Sequence, residues 1–143
     1  MNKEEFAGIF IKKFPEYRTV LEEHIKVYGE ILGHVFFGDI INSQLFNLLK
    51  HSSNEDRIND LFRFINDFYI QGDETCKNIV VVTILEYLGD DREVLNKAYT
   101  YIEEDLIKES VINEQNLGRD EWLLNDSSVN VLKKYFTLYA KKN

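Results

Sequence analysis

His24, His34 and Asp39 are the residues of this chain whose types could do chemistry, with Glu23 or Glu86 as a fourth group. Imidazole and carboxylate are ligands for zinc and iron, so a metal-dependent enzyme built on His24, His34 and Asp39 is one reading. No spacing ties the three together, and a histidine on an apolar helix face is more often a hydrogen-bonded core residue. Glu86 with Asp39 would make a paired-carboxylate hydrolase, but acids at helix starts serve mostly as caps. Cys76, the single cysteine, falls on a helix face four residues before Val80 and reads as a buried, inert thiol. Gly29, Gly33 and Gly38 lack the strand context and the lysine of a phosphate-cradling loop. The residues therefore predict a chain that is not an enzyme and carries neither cofactor nor metal.

Composition narrows the partners. At 143 residues, 44% hydrophobic and 13% aromatic, the chain can bury a core of its own and is expected to be one domain over residues 1–143. Seventeen Lys and Arg against 25 Asp and Glu give a net charge of -8, which repels phosphate backbones and anionic lipid and attracts basic surfaces. Nucleic acid and membrane are thus not expected partners; a basic protein is. One cysteine gives no intrachain disulfide and suits a reducing compartment. Met1-Asn2-Lys3-Glu4-Glu5 carries acids where a signal peptide carries positive charge, and no apolar run reaches membrane-spanning length. The expected location is the cytoplasm.

The elements that must position these residues read as helices. Asn2 with Glu5 forms a capping box before Phe6, Ile9, Phe10 and Phe14, which recur at helical spacing. Pro15 suits a first helical turn. From Tyr17 to Leu32 the spacing of three and four is the clearest in the chain, and Gly33 is placed to end that helix. His34 to Gly38 then reads as a buried, non-helical connection, with Asp39 capping a third helix that buries Ile41, Leu45, Leu48 and Leu49. Ser52 with Glu55 reads as a second capping box, ahead of Ile58, Leu61, Phe62, Ile65, Phe68 and Tyr69. Asp73 opens a run from Cys76 to Leu88 that is apolar nearly all round and is expected to be the central buried helix. Gly89 closes it, and Asp90 to Glu93 start a further helix with Val94, Leu95, Ala98, Tyr99 and Ile102 inside.

From Glu103 to Asp126 the pattern weakens, and eight acids face two basic residues, Lys108 and Arg119. The only tryptophan, Trp122, stands there, either as a clamp packing the tail on the core or as an aromatic anchor for a partner. A last helix follows, with Val129, Leu132, Phe136 and Tyr139 inside. The whole is an all-α bundle of about six to seven short helices, whose pairs from Ser52 onward are compatible with HEAT-like hairpins.

At Leu21-Glu22-Glu23-His24, Tyr28-Gly29-Glu30, His34-Val35-Phe36-Phe37-Gly38-Asp39 and Asn78-Ile79 through Glu86-Tyr87-Leu88, the chain resembles a family of small bacterial helical domains of unknown function. Similar chains have a His-x-x-x-Gly-Asp element after a helix bearing Glu-His, then a buried helix carrying Asn and Glu. The likeness runs from about Phe14 to Leu106, and the tail after Glu103 departs from it. It implies no activity and no catalytic residue. It does imply association with toxin and immunity loci, in which His34, Gly38 and Asp39 are a structural motif. Together with the charge, this predicts a non-enzymatic protein-binding module of the immunity type, neutralising a basic toxin. Its partner-binding surface is expected on Glu103, Glu104, Asp105, Asp120, Glu121 and Trp122.

Overall fold

The computed structural model of the protein describes residues 1–120 and 127–141. Helix α1 (Lys3–Lys13) starts at the expected capping box. The Glu5 N–H donates to Asn2 Oδ1 at 2.9 Å and the Asn2 N–H donates to Glu5 Oε1 at 3.3 Å. A 3-10 turn, Pro15–Tyr17, leads into α2 (Arg18–Tyr28). That helix stops one turn before Gly33. Gly29 takes the left-handed conformation at φ +77° and donates its N–H back to Ile25 O at 2.7 Å, closing the end there.

The next stretch corrects the sequence reading most. Helix α3 (Gly33–Phe37), a π-helical segment (Gly38–Asn42) and α4 (Ser43–His51) form one unbroken helical run from 33 to 51. Gly38 has ordinary right-handed angles, φ -61° and ψ -51°. His34 to Gly38 is therefore helix, not an irregular connection, and Asp39 lies inside a helix rather than capping one. The chain has already turned between Gly29 and Leu32, so no break is needed at Gly38.

Helix α5 (Glu55–Gln71) is capped by Asn54, which accepts from the Arg57 N–H at 3.2 Å, and not by Ser52, which ends α4 in the left-handed region. A second long run, 74 to 88, comprises α6 (Glu74–Asn78), a π-helical segment (Ile79–Leu85) and α7 (Glu86–Leu88). It starts where the sequence places it, at Asp73, whose Oδ1 accepts from the Cys76 N–H at 3.0 Å. Helix α8 (Arg92–Ala98) is capped by Asp91, α9 (Glu104–Asn116) follows, and a 3-10 turn (Ser127–Val129) leads into α10 (Asn130–Tyr139). Among the described residues there is no strand, and the fold is all-α. No helix among them is long and apolar enough to cross a membrane.

An aromatic cluster clasps α1, α3 and α5 together. Phe10 meets Phe64 edge-on at 5.0 Å, Phe37 meets Phe68 at 4.6 Å and Phe6 meets Phe68 at 4.9 Å. Edge-on and tilted pairs add roughly 0.5–1.5 kcal/mol each beyond the area they bury. Phe36 and Phe37 are both buried, whereas Val35 is exposed. Helix α2, for all its periodicity, docks only lightly. His24 is its one buried residue, and Val20, Ile25, Val27 and Tyr28 stay exposed, because the helix ends before it can run along the core.

The weak pattern after Glu103 conceals a regular helix. Glu114, on α9, is 1% exposed and ion-pairs with Arg92 and, at 3.7 Å, with Arg119. Arg92 Nη1 also donates to Arg119 O at 3.2 Å, and Arg119 Nη1 to Glu86 O at 3.1 Å. Gly89 makes room, since a Cβ there would stand 2.7 Å from Glu114 Oε1. Burial pushes the Glu114 carboxyl above its ordinary value of 4.5, against the pull of the two guanidiniums. An acid the sequence placed on a solvated tail is the internal strut of the fold.

Candidate functional site

Among the described residues, two surface pockets gather polar side chains that the sequence singles out. The first lies where the two π-helical segments meet. A π-helix bonds i to i+5 and is frequent at functional sites. Here Gly33 and Gly38, five residues apart, let the runs approach closely. A Cβ on Gly33 would sit 2.5 Å from Ile79 Cδ1, and one on Gly38 would sit 2.9 Å from Thr83 Cγ2. His34 Nδ1 then reaches the Thr83 hydroxyl, and Asn42 Nδ2 donates to Thr83 O at 3.1 Å. These residues, with Asp39, Ser43 and Tyr87, line an open pocket of about 340 Å³. The Asp39 carboxylate is exposed and accepts no hydrogen bond from the described residues. Asn42 is only 9% exposed, and its Oδ1 has no partner. Tyr87 forms one wall, its ring held edge-on by Phe46 at 5.7 Å.

His24 does not join this group. Its Nε2 accepts from the Leu32 N–H at 2.9 Å, an acceptor role that leaves Nδ1 as the ring's donor. It packs 4.7 Å from Tyr28 and 5.5 Å from Phe36, tying α2 to α3. Among the described residues no three His, Cys, Asp or Glu side chains stand close enough to hold a metal. The reading in which His24, His34 and Asp39 form a metal centre is corrected accordingly: the three do not converge, and His24 is a core hydrogen-bond acceptor. Glu86 instead accepts from Asn113 Nδ2 at 3.5 Å. Gly38 and His34 both meet Thr83, Gly38 by close approach and His34 through its Nδ1, and so seat the run from 33 to 51 on that residue.

The second place is an acidic groove at the N-terminal end of α9. Tyr69, Ile70, Lys77, Glu103, Asp105, Lys108 and Glu109 line about 380 Å³ there. Tyr69 feels the converging charge. Its hydroxyl is held above the ordinary tyrosine value first by burial and then by Glu109, Asp105, Glu103 and Glu74. Lys77 is already committed, donating to Tyr69 O at 2.5 Å with its ammonium 4.7 Å from the Tyr69 ring centre. Glu103 gives its N–H to Asn66 Oδ1 at 3.0 Å, while its Oε2 is buried with no partner. Ile70, 53% exposed, supplies an apolar edge.

The predicted partner surface is thereby split. Glu103 and Asp105 lie in the groove, and Glu104, beside them, accepts from the Tyr139 hydroxyl. Asp120 lies past the other end of α9, a helix of 13 residues and so about 20 Å long. Glu121 and Trp122 fall outside the described residues. Sequence reasoning missed Tyr69, Ile70 and Glu74, because Tyr69 counts as an inward position of α5 by periodicity alone. The spacing of four between Asp105 and Glu109 does put both on one helix face, and that signal was available.

Compared with known proteins, the chain matches over residues 7–118 the model of a domain of unknown function, DUF7674. No curated protein and no solved structure matches it.

Proposed function

The chain belongs to the DUF7674 family, and we propose that it is a non-enzymatic binding module for a basic protein, docking through the acidic groove at the start of α9. The observation that carries the reading is the convergence of Glu74, Glu103, Asp105 and Glu109 on Tyr69, beside exposed Ile70. Tyr69 and Ile70 stand among three carboxylates, Glu103, Asp105 and Glu109, against Lys108 and a Lys77 already committed to Tyr69 O, and this one-charge excess suits a Lys- or Arg-bearing segment. Tyr69 and Ile70 take the alkyl stems and the carboxylates take the charges. The net charge of -8 steers such a partner from a distance.

Within this reading the protein is a bacterial, cytoplasmic one of the immunity type. A toxin that cleaves nucleic acid needs a basic surface to hold phosphates, and an acidic module that covers that surface neutralises it. The test uses the full chain as bait, against Asp105→Lys/Glu109→Lys. Both positions are exposed, so the fold is kept. A basic protein encoded beside this gene should co-purify with the wild type and be lost with the variant. Equal retention by both baits overturns the reading.

A further inference from the structure

We propose that helix α2 is a self-association surface, on which a second copy of this chain docks antiparallel to form a weak, reversible two-fold dimer. The inference is independent of the acidic groove. It starts from a helix that its own domain leaves largely uncovered, since of the 11 residues from Arg18 to Tyr28 only His24 is buried. At about 100° per residue, Leu21, Ile25 and Tyr28 share the flank beside His24. Ile25 is 40% and Tyr28 49% exposed, and Leu21 is only partly covered. Nothing stands within 4 Å of a Cβ built on Gly29, four positions past Ile25, so the flank is open to its end. Exposed apolar residues grouped on one face in this way mark an interaction surface.

Charge decides the occupant. Arg18, Glu22 and Lys26 border this flank at spacings of four, and Glu30 follows just past the Gly29 turn. None of the four takes part in an ion pair among the described residues. Reversed end for end about position 24, the pattern is its own complement: Glu22 meets Lys26 of the second copy, and Arg18 meets Glu30. A two-fold axis makes each match twice, so the rim of the contact is paired throughout. The same register brings Leu21 within one residue of the second copy's Tyr28 and sets the two Ile25 side chains near the axis. The opposite flank, with Val20 and Val27, is not self-complementary, because Glu23 lies between them and would face its own copy across the axis. Nor does the helix suit an anionic lipid surface, since Glu22, Glu23 and Glu30 outnumber Arg18 and Lys26. A helix of 11 residues is about 16 Å long, so the contact falls among the small interfaces, below about 1,200 Å² in total. The dimer is therefore concentration-dependent.

Sedimentation velocity of the full chain, from the micromolar to the millimolar range at physiological ionic strength, tests this. The wild type should pass from monomer to dimer. Glu22→Lys sets a lysine against Lys26 at both symmetric contacts, and Lys26→Glu sets a glutamate against Glu22. Each variant alone should dimerise about tenfold more weakly, the effect of turning two surface ion pairs into two repulsions. Mixed with each other, the two variants regain opposite charge at both contacts and should associate as tightly as the wild type. Ile25→Asp, at an exposed position, should stay monomeric throughout with an unchanged circular dichroism spectrum. Asp105→Lys/Glu109→Lys should still dimerise, so failure of the groove reading does not touch this one. A wild type that stays monomeric into the millimolar range overturns the proposal, even if it binds another protein or a lipid vesicle. So does a dimer that survives Ile25→Asp, or a mixture that associates no more tightly than its components.

Discussion

Replacing Arg92 by Met removes the closer of the two cations from Glu114, and the size of the loss follows from what the carboxyl can then do. Glu114 is 1% exposed and keeps only Arg119, at 3.7 Å. The cheapest response of the folded protein is to protonate it. Relative to an ordinary value of 4.5, holding a carboxyl neutral at pH 7 costs at most about 3.4 kcal/mol, at 1.36 kcal/mol per unit. The bond from Arg92 Nη1 to Arg119 O is lost as well, worth about 1 kcal/mol. The variant should therefore lose up to about 4 kcal/mol at pH 7, less the part of the protonation cost that the raised wild-type carboxyl already carries. The sign with pH is fixed. A carboxyl whose folded value is raised stabilises the fold below its unfolded value, and that contribution is lost as pH rises through the folded one. At pH 5 the protonation cost falls to about 0.7 kcal/mol, so the deficit against wild type should shrink to about 2 kcal/mol. Urea denaturation followed by circular dichroism at both pH values reads this directly. Adding Glu114→Gln to the variant should abolish the pH dependence of the deficit. A deficit under 1 kcal/mol at pH 7, or one identical at pH 5, would refute the reasoning.

Three further outcomes follow from the packing. Phe37→Ala should cost about 3 to 5 kcal/mol, since the ring is 1% exposed and touches Phe10, Phe36, Phe64 and Phe68; an unchanged urea midpoint would exclude it from the core. Asp91→Ala should cost about 1 kcal/mol, because its Oδ1 accepts from the Glu93 and Val94 N–H groups. Although burial raises the Asp91 carboxyl, the Lys50 contact and those N–H groups outweigh it and hold it below 3.8. The advantage of wild type over Asp91→Asn should therefore be present above the unfolded value and vanish as pH falls through the folded one. Cys76, fully buried, has its thiol pushed up to about 11 by burial and by Asp73, so it should resist an aromatic disulfide reagent at pH 8 and react fully once unfolded; rapid reaction of the native protein would contradict its burial.

The parts of this structure legible in the sequence are those decided within one turn of helix. Asn2 with Glu5, Asp73 and the apolar spacing of α5 each appear where local chemistry puts them. The errors have a common cause. A glycine needed for close approach, as Gly38 is against Thr83, looks in sequence like a glycine that ends a helix. Glu114 is identical in sequence to the solvated acids around it, and its burial is made tolerable by Arg92, 22 residues away, together with Arg119. Asn42 carries no local sign that its amide will cap a carbonyl 41 residues on. The pocket and the groove are both made by pairs of elements distant in the chain, so the sequence named some of their residues and none of their partners.

The most direct test of the proposed function is the association rate of the co-purified partner with wild type and with Asp105→Lys/Glu109→Lys, measured across a range of salt. Steering by the acidic groove demands a wild-type rate that falls steeply with ionic strength, and a variant whose rate is lower and nearly flat. Equal rates with equal salt slopes, in a variant shown to be folded, would contradict it.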